Sequence, residues 1–439
     1  MTDTAPPTDT TTPPASGNPP TSGPAASKRA LVFILITVAV DVIGLGIIIP
    51  VLPELIREIS VNTGGSSLMG DAALIGGWLM FAYALMQFIF APILGNLSDR
   101  FGRRPILLWG LFWLGVDYVI MALAPTMLWL FIGRILAGMA GASYVTAFSY
   151  IADVSPKDKR AANFGLIGMA FGIGFVIGPA IGGLLGALDP RFPFWAAAAL
   201  CFANLAFGYF ALPESLAKSK RRKFEIKRAN PVGALKQFIG IKPVLMLIIA
   251  GTLFEFASHV YPVMWAYFTP VQYGWSTADV GLSLAVFGLM IGVGEGFVLR
   301  VVLARYGEHR VIIGSTILAV ACFAAFAVVG NGTLAYVVMI ISAFSGFASS
   351  GIQGLASNHV GEDVQGELNG AVMSATSIVH IIAPPVMTAL FAWFTLENAP
   401  IYLPGAPFIL AAIIAALVFW PYARARQLGI TDAAGKVKG

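Results

Sequence analysis

The chain has 439 residues, of which 57% are hydrophobic and only 11% charged, with a mean hydropathy of +0.81, whereas soluble domains carry about 25% charged residues. That balance marks an integral membrane protein. The net charge of +5 needs no nucleic-acid partner to explain it, and the two cysteines, Cys201 and Cys322, lie far apart in apolar runs and suggest neither a disulfide framework nor a metal cluster.

Residues 1–27, built from Pro, Thr, Ser, Ala and Gly, have almost nothing to bury and are expected to be a disordered tail. Beyond them, apolar runs long enough to cross a bilayer as helices predict spans near residues 31–56, 74–97, 105–124, 127–152, 161–188, 193–212, 243–268, 278–304, 310–329, 334–357, 367–394 and 404–423. The ten-residue alternation of a membrane barrel is absent. The first span lacks a basic n-region and cleavage site and is read as retained. Nearly all Lys and Arg fall in alternate loops and at the ends of the chain, which predicts that both termini are cytoplasmic. The expectation is an all-α integral membrane protein of twelve helices in two six-helix halves, 28–213 and 243–425, joined by a basic cytoplasmic linker, 214–242, and closed by a tail, 426–439.

The halves match at a constant shift of 205 positions. "DRFGRRPILLWG" (99–110) lies over "ARYGEHRVIIGS" (304–315), Pro179 over Pro384, Gly141 over Gly346, and "DKRAANFG" (158–165) over "DVQGELNG" (363–370). Parallel repeats about an axis along the membrane normal place a binding site at the midplane between them.

Taken in chain order, the polar residues stand out against this apolar background. Asp41 sits in "VAVDVIGLGIIIP" (38–50), where an Asp costs roughly 2.5–3.5 kcal/mol at a helix centre and so faces a partner or a water-filled path; a packed structural role and a proton-carrying role both fit. "GNLSDRFGRRP" (95–105) joins the second and third spans: Gly95 and Gly102 permit tight turns, Asp99 is placed to cap a neighbouring helix, and Arg100, Arg103 and Arg104 supply cations. Asp117 lies in "GVDYVIMA" (115–122) and Arg134 in "GRILAGMAGAS" (133–143). "GIGFVIGPAIGG" (172–183) sets Gly172, Gly174, Gly178, Gly182 and Gly183 about Pro179, a spacing for close helix contact and a kink.

These stretches together resemble the major facilitator superfamily: residues 95–105 its cytoplasmic signature, residues 172–183 the antiporter signature of the fifth helix. With "DVIGLGIIIPVLP" (41–53) they are similar to the tetracycline-efflux branch of the drug:proton antiporters. The resemblance implies that Asp41, Asp99, Arg100, Arg103, Arg104, Asp117 and Arg134 serve coupling and gating, the signature acid and arginines latching the halves on the cytoplasmic side.

The second half departs from that branch. Ile291 and Glu295 stand where its members usually have a histidine and a glutamine, and no acid occurs near Leu318, which puts tetracycline itself in question as the substrate. "LFEFASHVYPVMW" (253–265) instead sets Glu255 and His259 on one helix face, with three readings open: a structural pair, a pocket or proton role together with Glu295, or a zinc pair lacking its third ligand, so that no metal site is expected. Trp78, Tyr83, Phe254, Tyr261, Trp265, Tyr267 and Phe287 are aromatics that could line a cavity, and Phe254, His259, Tyr261 and Trp265 are the substrate-contact candidates. No nucleotide loop, HExxH pair or Ser-His-Asp array appears, so the expectation is no enzyme and no cofactor. The reading is a monomeric bacterial inner-membrane antiporter that exchanges protons for amphipathic drugs, with proton-coupled transport of a small metabolite as the alternative and an embedded enzyme or sensor as the minor one.

Overall fold

A bilayer core offers no water to backbone N–H and C=O groups, so each apolar run closes its hydrogen bonds within its own turns. The structure is a computed structural model and describes residues 24–141, 144–155, 160–222, 241–361, 364–396, 399 and 401–431; among these it contains helices and no strands. Residues 1–23, 223–240 of the expected linker and 432–439 of the tail lie outside the described residues, while residues 24–27, expected to be disordered, already belong to the first helix.

The first half consists of α1 (Pro24–Asn62), α2 (Met69–Phe101), α3 (Arg103–Leu123), α4 (Met127–Gly141), α5 (Tyr144–Val154), α6 (Arg160–Gly186) and α7 (Phe192–Ala211). The second consists of α8 (Lys242–Ser258), α9 (Val260–Tyr273), α10 (Thr277–Val293), α11 (Leu299–Val328), α12 (Gly332–Ser342), α13 (Phe347–Asn358), α14 (Gln365–Thr395), α15 (Ala406–Leu417) and α16 (Phe419–Gln427). Polar residues fix the helix ends. Ser276 and Asp279 form a reciprocal capping box at the start of α10, and Arg191 donates to the Ala122 and Ala124 carbonyls at the end of α3 at 2.7 and 3.1 Å.

Among the described residues, eleven segments are long and apolar enough to cross a membrane. The longest, Thr277–Val328, has 52 residues, a length of about 78 Å at 1.5 Å per residue. It is broken at Gly307, where φ is 76° and ψ is 161°. Gly102, 205 positions earlier, has φ 110° and ψ 161° and turns α2 into α3. Both conformations favour glycine, so the repeat seen in the sequence recurs as backbone geometry. It recurs in side chains too. Arg103 Nε donates to Asp153 at 3.3 Å, and at the equivalent pair Asn358 Nδ2 donates to Glu308 at 3.2 Å.

The two halves share one apolar core only at one end. Ile47, Val51, Leu55 and Ile59 of α1 and Ala72, Ala73 and Leu79 of α2 belong to the same cluster as most buried residues of the second half. Toward the basic loops, Phe33, Ile34, Leu107, Leu111 and Ile151 form a separate cluster in the first half, and Leu299, Val311 and Phe347 another in the second. The halves therefore meet at the ends remote from the basic loops and part toward them.

Small residues make the junction, as expected where close packing rather than hydrophobicity joins helices in lipid. A Cβ on Gly281 of α10 would overlap the Pro179 carbonyl oxygen of α6 and lie 2.6 Å from Gly183 Cα. A Cβ on Gly77 of α2 would overlap Thr388 of α14 and lie 3.1 Å from the Pro384 carbonyl oxygen. Pro179 and Pro384 are repeat equivalents, so the junction uses the same device twice. Gly281→Val is expected to pry α10 from α6 and populate a form open at this end. Spin labels at Ser67 and Asn331, exposed on opposite halves there, should then show an added longer-distance component; an unchanged distribution contradicts the assignment of the seal.

Candidate functional site

Asp41 lies ten residues into the apolar part of α1, about 15 Å along the helix and near the middle of a 30 Å hydrocarbon layer. Its Oδ1 is buried and has no hydrogen-bond partner among the described residues. Asp117 of α3 is fully buried and ion-paired with Arg134 of α4, itself 8% exposed. The Arg134 guanidinium also lies 5.9 Å from the ring centre of Tyr83 of α2, and the Tyr83 and Tyr118 hydroxyls stand within electrostatic reach of Asp41, Asp117 and Arg134. Glycines make room for the cluster. A Cβ on Gly133 would stand 2.6 Å from Asp117 Oδ1, and one on Gly44 would overlap the Tyr118 hydroxyl. At the shift of 205, the equivalents of Asp117 and Arg134 in the second half are Cys322 and Met339, so this ion pair belongs to the first half alone.

The helix that carries Asp41 rests directly on the glycine-rich α6. Cβ atoms on Gly174, Gly178 and Gly182 would crowd Ala39, Val42, Ile43 and Ile47 of α1, several at backbone atoms. Gly183 turns the other way, toward Gly281 of α10. Gly172 meets nothing nearby. One face of α6 thus grips α1 and another seals against the second half, so a shift of one half bears on the helix holding Asp41.

At the basic end, Asp99 does not cap a neighbouring helix as expected. It pairs with Arg103 at 2.6 Å, and the cap on α3 comes from Glu214, 111 residues away, which accepts from the backbone N–H of Arg103 at 2.8 Å and of Arg104 at 3.3 Å. A Cβ at position 102 itself would collide with that carboxylate, which gives Gly102 a second reason to be glycine. Arg103 also pairs with Asp153, Arg104 donates to the Tyr209 carbonyl, and Arg100 lies over Phe101. Gly95 only touches Val145. In this conformation the signature loop binds Asp153 of its own half and Glu214 at the start of the linker.

In the second half Glu255 pairs at 3.6 Å with His380 of α14, whose ring stacks on that of His259 at 4.6 Å. Glu295 sits in a single π-helical turn, Gly294–Val298, and accepts from Ser350 Oγ at 3.0 Å; such turns interrupt helices mostly at functional positions. The aromatic candidates lie elsewhere than expected. Phe254 and Trp265 are 1% exposed, Trp265 donating to Ser283 at 2.9 Å, and Tyr261 packs among Phe287, Phe323, Phe326 and Phe408. These three form the core of the second half rather than a cavity wall, because rings at helical spacing on α8 and α9 face α11 and α15. Tyr267 is buried against Gly76, and Trp78 is exposed beside Phe81. Of the seven aromatics, Tyr83 stands at the charged cluster.

The sequence profile described as "Major Facilitator Superfamily" matches residues 34–384. The chain belongs to this superfamily. It is 38% identical over 366 residues to the tetracycline resistance protein, class C, of Escherichia coli, covering 83% of this chain and 90% of that protein. It is 26% identical to multidrug resistance protein 2 of Bacillus subtilis (strain 168), covering 83% and 89%. Among solved structures, an inward-facing, unoccupied bacterial homologue of the human lysosomal transporter Spinster superposes with a TM-score of 0.72 at 16% identity, covering 92% of this chain and 98% of that one; that likeness shows the fold.

As a superfamily member the chain is a membrane transporter by fold and kinship, and the residues its sequence left unnoticed are the partners of those it marked. Glu214 and Asp153 hold the signature loop, Tyr118 and Gly133 frame the Asp117–Arg134 pair, and His380 joins Glu255 and His259. Asp153 could have been found by the shift of 205, since its equivalent Asn358 also faces the equivalent of Arg103. Glu214 and His380 carry no such signal.

Proposed function

We propose that this protein is a proton-coupled exporter of amphipathic drugs in the bacterial inner membrane, working by alternating access. The segment Thr277–Val328 crosses twice, turning at Gly307, which gives twelve spans in two six-helix halves, with termini and linker in the cytoplasm. On that orientation the shared core closes the outer side and the halves part toward the cytoplasm, where drug enters between them. The protein acts as a monomer and uses the proton gradient in place of a cofactor.

The observation that carries this reading is the buried, unpartnered Asp41 oxygen, which shares Tyr83 and Tyr118 as neighbours with the Asp117–Arg134 pair, on a helix gripped by the antiporter-like α6. Open outward, Asp41 takes a proton; the neutral carboxyl then passes through the occluded state without the cost of a buried charge. Open inward, drug bound between the halves favours loss of that proton, and the freed carboxylate competes with Asp117 for the Arg134 guanidinium, a charge-assisted contact. Because drug and proton prefer different states, each drives the other. Glu255 and Glu295 are secondary proton sites within the second half. Relatives named for tetracycline and multidrug resistance support drugs as cargo, while Ile291 and Glu295 favour a wider range than tetracycline.

The test uses everted vesicles acidified inside. Tetracycline and unrelated lipophilic cations should accumulate and leave when the gradient is collapsed; accumulation indifferent to the gradient, or drug moving with protons in the same direction, overturns the reading.

A further inference from the structure

Glu255 and His259 lie one turn apart on α8 and its junction with α9, and in the sequence they lack a third ligand. The fold brings one from α14. His380 Nε2 is 3.6 Å from Glu255 Oε1, the His380 and His259 rings are stacked with 23° between their planes, and one ligand-capable atom from each of the three residues lies within 4.8 Å of the other two. We infer that Glu255, His259 and His380 form a binding site for a divalent transition-metal ion of the zinc class.

Ligand atoms 2.0–2.1 Å from a tetrahedral ion stand about 3.4 Å apart, so the Glu255–His380 spacing closes with a shift of a few tenths of an ångström. His259 completes the set by turning about its side-chain torsions until its ring plane contains the ion. The donors select the metal: one carboxylate oxygen and two imidazole nitrogens suit zinc, cobalt or nickel, whereas magnesium and calcium require oxygen shells and copper(I) prefers sulfur. Three protein ligands leave a fourth position open for water. A cavity of about 50 Å³ between α8, α13 and α14, lined by Thr252, Glu255, Gln353 and Thr376 among others, leads to the carboxylate and gives the ion a path and that water a place. Stacked imidazoles beside a single carboxylate compete for one partner when protonated; a shared divalent ion satisfies all three. His259 also marks the junction of α8 with α9, so the bound ion ties that junction to α14, the helix sealed against α2. The site stands independently of the direction of drug transport.

The experiment titrates tag-free, chelator-stripped protein in detergent with Co²⁺, read by visible absorption, and with Zn²⁺, read by calorimetry. One equivalent should bind. His380→Gln and His259→Gln should each weaken binding about 100-fold or more, at or beyond the upper end of what loss of an outer-shell partner costs, while His309→Gln and His359→Gln leave it unchanged. His259→Cys should restore binding and add a thiolate-to-cobalt charge-transfer band, a signature that a purely structural histidine does not yield, and one that decides the matter should the Gln variants fail to fold. Absence of saturable binding in the wild-type protein, or wild-type affinity in His380→Gln, overturns the inference. Gradient-driven drug uptake measured with chelator present separates this failure from a failure of the transport reading.

Discussion

Asp41→Asn is expected to reduce gradient-driven drug accumulation in everted vesicles to background while leaving drug-for-drug exchange across the same membrane intact. Asparagine keeps the shape of the carboxyl and cannot release a proton. The unpartnered Oδ1 has no hydrogen bond to lose, so the variant should fold and its thermal midpoint should stay within the change typical of a neutral substitution, about 0.5 kcal/mol. A permanently neutral side chain imitates the protonated state, in which both halves can still rock about the bound drug. Exchange therefore survives and coupling does not, because a proton that never binds has no differential affinity for the two states. Full accumulation by this variant removes Asp41 from the coupling role. Loss of exchange as well makes it a structural residue, since a proton carrier is dispensable for exchange.

Much of this arrangement was legible in the chain because membrane helices write their purpose in a few exceptions to an apolar rule. Asp41, Asp117 and Arg134 announced themselves as charges within spans, and the structure gathers them about Tyr83. Gly102 and Gly307 declared a repeat, and both take positive φ with ψ of 161°. Contacts that depend on long-range packing did not show. Glu214 caps α3 from 111 residues away, and Asp99, the nearer acid, is held by Arg103 one helical turn on. His380 was invisible for the same reason, because its partners lie on another helix. The aromatic residues misled in a different way: a ring on a membrane helix is equally suited to a cavity or a core, and only the positions of α11 and α15 place Phe254, Tyr261 and Trp265 in the core. Applying the shift of 205 to charges as well as glycines reveals one further feature. The second half answers Asp117 and Arg134 with Cys322 and Met339, so the fold needs no ion pair at that place, and its presence in the first half asks for a reason beyond stability.

Arg134→Ala supplies the means to find that reason. Removing the guanidinium strands the fully buried Asp117 carboxylate and should cost about 3–5 kcal/mol, the penalty for breaking a buried pair from one side, seen as a lowered denaturation midpoint and poor yield. Replacing both partners by groups of similar volume, Asp117→Asn with Arg134→Met, should recover most of that loss, because neutral packing at such a site is often as stable as the ions it replaces; the second half already manages with Met339. Transport should not recover with it. With the guanidinium gone, a deprotonated Asp41 has no cation to receive it inside the membrane, so the release step stalls and accumulation remains at background in a protein that folds. Recovery of both stability and accumulation in the double variant reduces the pair to packing and leaves Asp41 to release its proton without Arg134. A double variant no more stable than Arg134→Ala means that the Asp117 carboxylate is held by partners other than Arg134, and the assignment of the pair fails at its first step.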